Sequence, residues 1–391
     1  MAFELTPVTP AGARFATLAE ELAATLEPAA AIHDRDASFP FASFQLLRTR
    51  GYFAAPLPAE LGGLGVSSVR DVLVASNRLA RGDASLAIGA NMHFAYLLNV
   101  VHRRDAAVVS GDARRAEAFG ASLREIAERC IVFAAAISEP GQDLTRPATT
   151  AIRNGDGWKL SGRKIFCTMS PGADVLYVAT TYVDGAGREL YGYATVPTDA
   201  EGLVVHGDWD ALGMRASGSH SVTLDAVAVP PSALRGGFPV GDAVAYMERN
   251  LTPGLFHAAT AFGIAEHAHT VALSRARLDA HAETLVGQQV ADLAACAGVL
   301  TRAATLLDER AADTATLFAE AQAAKAVVCD AAIRIVDRAL ALSGGQGYTN
   351  GSPLARAYRD VRAAPFMHPL AAGRANGFLA RFALGRELEL H

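Results

Sequence analysis

The stretch ISEPGQDLTRPATTAIRNGDGWKLSGRKIFCTMSPGADVLYV, residues 137–178, is where the texture of the chain changes. Its Val, Ile, Thr, Tyr and Phe residues come in short runs separated by turn formers such as NGDG, which is the pattern of β-strands. The pattern holds from Cys130 to about Pro231: SVTLDAVAVP alternates every second residue, and ADVLYVATTYV and ELYGYATVP are joined by a hairpin-like turn, VDGAG. On either side the apolar residues recur at helical spacing instead, as in RFATLAEELAATL and SVRDVLVASNRLA before it and AEAQAAKAVVCDAAIRIVDRALAL after it. The order is therefore α, β, α. The expected fold class is α+β: an N-terminal all-α domain over 1–127, a middle, mostly antiparallel β domain over 128–236 and a C-terminal helical bundle over 237–391.

Composition excludes several functions. A chain of 391 residues with 51% hydrophobic residues and a formal charge of −5 is long and apolar enough for a large core, and it has no basic run for nucleic acid or anionic lipid. Cys130, Cys167, Cys296 and Cys329 are far apart and form no metal-ligand spacing, so no metal is expected. ASLAIGANMHFAYLLNVV, from Ala84 to Val101, carries Asn91, His93 and Asn99 and reads as a buried helix rather than a membrane span. The N-terminus has no secretory pattern, and a cytoplasmic location is expected. No GxGxxG, P-loop or GxSxG motif sits in its required context, so dinucleotide binding, nucleotide hydrolysis and serine hydrolysis lose their strongest signals.

Four segments carry a resemblance. They are PAELGGLG from Pro58, the 137–178 stretch, DALGMRASGSHSVTLDAVAVP from Asp210 and GGQGYTNGSPLARAYRDVR from Gly344. In this order, within an α, β, α layout, they resemble the acyl-CoA dehydrogenase family along nearly the whole chain. The resemblance implies a flavin, FAD with FMN as the alternative, between the β domain and a C-terminal four-helix bundle, in a homo-oligomer that is a dimer or tetramer. It implies that Ile137 and Ser138 hydrogen-bond the flavin ring, that Thr168 places its hydroxyl near flavin N5 and that Phe166 stands beside the ring. It implies also that Gly344 and Gly345 let a neighbouring subunit's FAD pyrophosphate approach, since glycine carries no side chain.

The departures from the family pattern carry the functional expectation. Members that dehydrogenate acyl-CoA use a glutamate base. At the position after RDVR where most members keep it stands His368, and at the alternative position, before LFHAATAFG, stands Pro253. Glu248 is five residues off that alternative position. The Arg-x-x-Phe-Gly segment expected in ARLDAHAETLVGQQ is missing, and the turn after SEP is shortened to GQD. These losses resemble the two-component flavin-dependent monooxygenases of the same fold, which take reduced flavin from a separate reductase and use histidines where oxygen adds to the flavin.

The expected function is thus a monooxygenase that uses reduced flavin and O2 to hydroxylate a hydrophobic aromatic or polycyclic small molecule. Its catalytic candidates are His368, Thr168 and His93, the last being either a site residue or a core histidine. The alternative is an acyl-CoA dehydrogenase with a non-standard base, His368 or Glu248. His257, His267 and His269 follow Pro253 with no motif to mark them, and are read as core or surface residues.

Overall fold

The computed structural model describes residues 3–141, 143–275 and 279–390; Gln142 of the shortened GQD turn and the head of ARLDAHAETLVGQQ, 276–278, lie outside them. The chain opens with helices α1 (Pro10–Asp36), α2 (Phe41–Thr49), α3 (Val69–Ala80), α4 (Ala84–Val109) and α5 (Ala113–Glu128). Strands follow, β1 (Phe133–Ala136), β2 (Thr150–Asn154), β3 (Gly157–Cys167), β4 (Val175–Val183), β5 (Glu189–Pro197), β6 (Leu203–Val205), β7 (His220–Val229) and β8 (Leu234–Pro239). Helices α6 (Ala243–Arg249), α7 (Pro253–Arg275), α8 (Ala280–Glu309), α9 (Thr314–Ser343), α10 (Pro353–Asp360) and α11 (Ala372–Ala383) close it. The helical starts are written into the sequence. Thr9, Ser68, Asp83, Asp112, Asp242, Asp313 and Ser352 each accept a backbone N–H of their own first turn. Each such cap contributes about 1 kcal/mol.

The sheet runs β6-β7-β3-β2-β4-β5-β8, and β1 pairs with β4. Most pairs are antiparallel, and the β4–β5 hairpin pairs Val175 with Pro197 through to Val183 with Glu189. Within this mostly antiparallel sheet, as expected, β1 and β2 are the exceptions and lie parallel to β4. The long segment between β1 and β2 makes this connection reachable. It is organised by Glu139, which is buried with Lys164 at 2.6 Å and accepts the backbone N–H groups of Ala148 and Thr149.

In space the helices before and after the sheet share one core, in which Phe15, Tyr52 and Phe94 join Phe256, Phe262 and Phe318. The sheet has its own core around Trp158, Leu160, Leu176 and Leu224. Among the described residues two helices, α4 and α8, are long and apolar enough to cross a membrane, and the apolar window of α4 is 72% buried inside the protein. RDVR ties the layers together. Arg359 pairs with Asp34 of α1, Asp360 accepts Met214 N–H at 2.6 Å, and Arg362 pairs with Asp337 of α9 at 2.7 Å. Gly213 permits this approach, since a Cβ there would lie 2.2 Å from the Arg359 carbonyl oxygen.

Candidate active site

A cavity of about 820 Å³ lies between the sheet and the helices, at the upper end of the range of roughly 300–1,000 Å³ for small-molecule sites. Its sheet wall is made where β3 leaves regular pairing. The β3–β7 register slips between Lys164 and Cys167, and Phe166 sits at φ 57, a left-handed conformation that a bulky side chain adopts only when its surroundings impose it. The bulge turns the Phe166 ring out of the sheet, where it is 59% exposed and meets Trp209 edge-on at 6.1 Å. Thr168, Ser219 and Ser217 form a hydroxyl chain beside it, with oxygens 2.9 and 2.6 Å apart. Ile137 and Ser138, just past β1, complete this wall. An exposed aromatic ring beside a row of neutral donors suits a flat, polar-edged ring system, so the residues present fit a flavin.

The facing wall is the segment that ends in His368. Residues 361–366 form a tight helical turn, and the chain turns extended at Met367. Lys325 of α9 fixes the exit: its ammonium donates to the carbonyls of Met367 and Leu370, and burial pulls it down to about 8. His368 opens on the cavity, and its Nε2 lies 2.9 Å from the Asn250 side-chain oxygen. The Asn250 amide nitrogen donates to the Tyr246 carbonyl at 2.8 Å, so its oxygen must face His368 and accept. Nε2 therefore carries the proton, and Nδ1 is left as an acceptor with no partner among the described residues. Enclosure by protein, then the charge of Lys325, lowers His368 to about 3, so the ring is neutral at physiological pH.

The structure brings Ile137, Ser138, Phe166, Thr168 and His368 to one cavity. It places His93 elsewhere. That ring is buried among Phe53, Phe94 and Phe133, with Nε2 2.9 Å from the Phe53 carbonyl and Nδ1 accepting Phe133 N–H at 3.2 Å, and it is not among the cavity-lining residues. Gly344 and Gly345 form an open turn after α9, with nothing within 4 Å of a Cβ built on either, and they line no part of the cavity. Glu248 is also off the cavity, paired with Arg310 and Thr314. His257, read from the sequence as a core or surface residue, does line the cavity, one turn after Pro253 on the same face of α7. Its Nδ1 is buried with no hydrogen-bond partner among the described residues, and burial followed by the charge of Lys325 lowers it well below the usual imidazole range. The spacing from Pro253 was the signal that could have found it.

The chain matches family models along its length: the acyl-CoA dehydrogenase N-terminal domain at residues 13–103, the middle domain at 134–227 and the C-terminal domain at 244–368. It belongs to the acyl-CoA dehydrogenase family. This member is a flavin-dependent oxidoreductase, with the helical, β, helical layout of that family. Amino sugar nitrososynthase DnmZ of Streptomyces peucetius is 33% identical to it, over 97% of this chain and 95% of that protein. The structure of KijD3 in complex with FMN and dTDP-3-amino-2,3,6-trideoxy-4-keto-3-methyl-D-glucose is 32% identical, with a TM-score of 0.89 over 98% of this chain and 96% of that one. Dibenzothiophene monooxygenase TdsC of Paenibacillus sp. A11-2, at 24% identity and a TM-score of 0.79 over 96% of this chain and 98% of that one, shares the fold.

Proposed function

We propose that this chain is the oxygenase of a two-component flavin system and that it oxygenates the amine nitrogen of a nucleotide-linked amino sugar. The observation that carries the reading is the charge of the cavity. Among the described residues lining it are Arg103, Arg249, Arg359 and Arg362, and no aspartate or glutamate. Dehydrogenation of an acyl thioester needs a base to take the α proton, in this family a carboxylate, and no carboxylate faces this cavity. Oxygenation of an amine needs a free nitrogen lone pair, and positive surroundings together with burial push an ammonium toward its neutral form. The same arginines favour a substrate carried on an anion.

The relatives at or above 32% identity support an amine over the aromatic or polycyclic substrate expected from the sequence, since DnmZ and KijD3 are connected with amino sugars by name or by bound ligand. The flavin in this reading is FMN in place of FAD, because the KijD3 complex holds FMN. Ser138, Thr168 and Phe166 would hold it. When bound in reduced form it supplies two electrons to O2, so that one oxygen atom goes to nitrogen and the other leaves as water. His368 offers Nδ1 as an acceptor to a substrate N–H and orients the lone pair; its depressed pKa keeps that acceptor free. His257 lines the same cavity and offers a second neutral imidazole.

The test supplies the protein with FMN, a flavin reductase, NADH, labelled O2 and a dTDP-linked amino sugar. The expected product carries labelled oxygen on nitrogen. Failure to oxygenate, together with anaerobic bleaching of bound flavin by an acyl-CoA and release of the enoyl-CoA, would overturn the reading in favour of dehydrogenation.

A further inference from the structure

Arg103 on α4 and Arg249 at the end of α6 line one cavity, and among the described residues the acid whose charge reaches both, Glu248, is itself paired with Arg310. The other two cavity arginines have acids of their own, Arg359 in Asp34 and Arg362 in Asp337. Among the described residues neither Arg103 nor Arg249 forms an ion pair. Arg104, next to Arg103, takes Glu60 and Asp105. Glu248, next to Arg249, is committed to Arg310. Both guanidiniums are half-buried, and burial lowers each; the charge of Arg249 lowers Arg103 further, to about 10. Two like charges held together away from bulk water cost stability, and an anion between them removes that cost.

The surroundings are built for such an anion. The Arg249 guanidinium lies over the Tyr193 ring at 5.9 Å, which fixes the plane of its donor fork. Asn99 also lines the cavity and lies one turn before Arg103 on the same face of α4. Tyr193 is on β5, and the order β3-β2-β4-β5 separates it from the Phe166 and Thr168 wall by three strand spacings, roughly 14 Å. A flavin ring at that wall leaves the arginine pair to a second ligand.

We propose that Arg103 and Arg249, with Asn99 as a neutral donor, form a phosphate-ester site that holds the diphosphate of the substrate. The inference rests on the reading of the substrate as nucleotide-linked. The other source of the same chemistry is the 5′-phosphate of the flavin, and the test separates the two.

Thymidine diphosphate, FMN and inorganic pyrophosphate are each titrated into the full chain and into its Arg103→Gln and Arg249→Gln variants. The expected result is a loss of roughly 10- to 100-fold in thymidine diphosphate affinity in each variant, with FMN affinity unchanged. Arg103→Lys restores the charge and recovers part of the affinity. Loss of FMN affinity with thymidine diphosphate spared would assign the pair to the flavin and overturn the proposal. Unchanged affinities throughout would overturn it as well, as would a folded Arg103→Lys variant that binds no better than Arg103→Gln. If the chain binds pyrophosphate through both arginines but not thymidine diphosphate, the anion site stands and the nucleotide-linked reading fails.

Discussion

His93 and His368 are two histidines enclosed by protein, both neutral and both held well below the ordinary imidazole range, at about 4 and about 3. They differ in what their ring nitrogens meet. His93 spends both on backbone, Phe53 and Phe133, so it clamps α4 to the loop after α2 and to the first residue of β1. His368 spends one on Asn250 and turns the other toward a cavity. A depressed pKa is thus common to a structural clamp and to a cavity-lining residue. The spare acceptor separates them.

The contrast is broken most easily at His368. His368→Ala is expected to cost roughly 10- to 100-fold in turnover, the worth of a lost hydrogen bond to the substrate, with a smaller loss of stability than at His93. A variant that keeps wild-type turnover would remove His368 from the chemistry. At His93 the expected loss is of the opposite kind. His93→Ala leaves two buried backbone groups unpaired and a void, and should lower stability by about 2–4 kcal/mol, read by denaturant unfolding, with little change in turnover per folded molecule.

The pH dependence of stability sharpens the same contrast. For His93 the folded value of about 4 lies below the reference 6.5, so between them the unfolded chain binds a proton that the folded chain refuses. The contribution of His93 to stability should fall as pH drops through that window, by about 1.4 kcal/mol per pH unit on top of those of His368 and His257, and His93→Gln should flatten the total slope by one proton. An unchanged slope would mean that His93 is not held neutral by the fold. The smallest effect is expected at Asn250. Asn250→Ala frees the tautomer of His368, and a loss of about 1 kcal/mol in orientation corresponds to roughly a five-fold drop in turnover. If turnover falls as far as in His368→Ala, Asn250 acts on the substrate directly.

The sequence by itself determined the layer order and the most informative position. Strand and helix periodicities depend on neighbours a few residues apart, so the α, β, α order and the β4–β5 hairpin are legible locally. His368 was legible because it lies a fixed step after RDVR, whose ion pairs with Asp34 and Asp337 and whose Asp360 contact with Met214 pin that step in space. The facing of side chains was not. His93 and His257 both stand on buried helices, and helical spacing alone does not say which face meets a cavity and which meets a backbone carbonyl. Lys325 anchors the His368 segment from 43 positions away in the sequence, through carbonyls that carry no sequence signature. The charge of the cavity, too, is a tertiary property. Arg103, Arg249, Arg359 and Arg362 come from α4, α6 and the end of the chain, and only packing decides which of them the acids of α1 and α9 neutralise and which are left to meet a ligand.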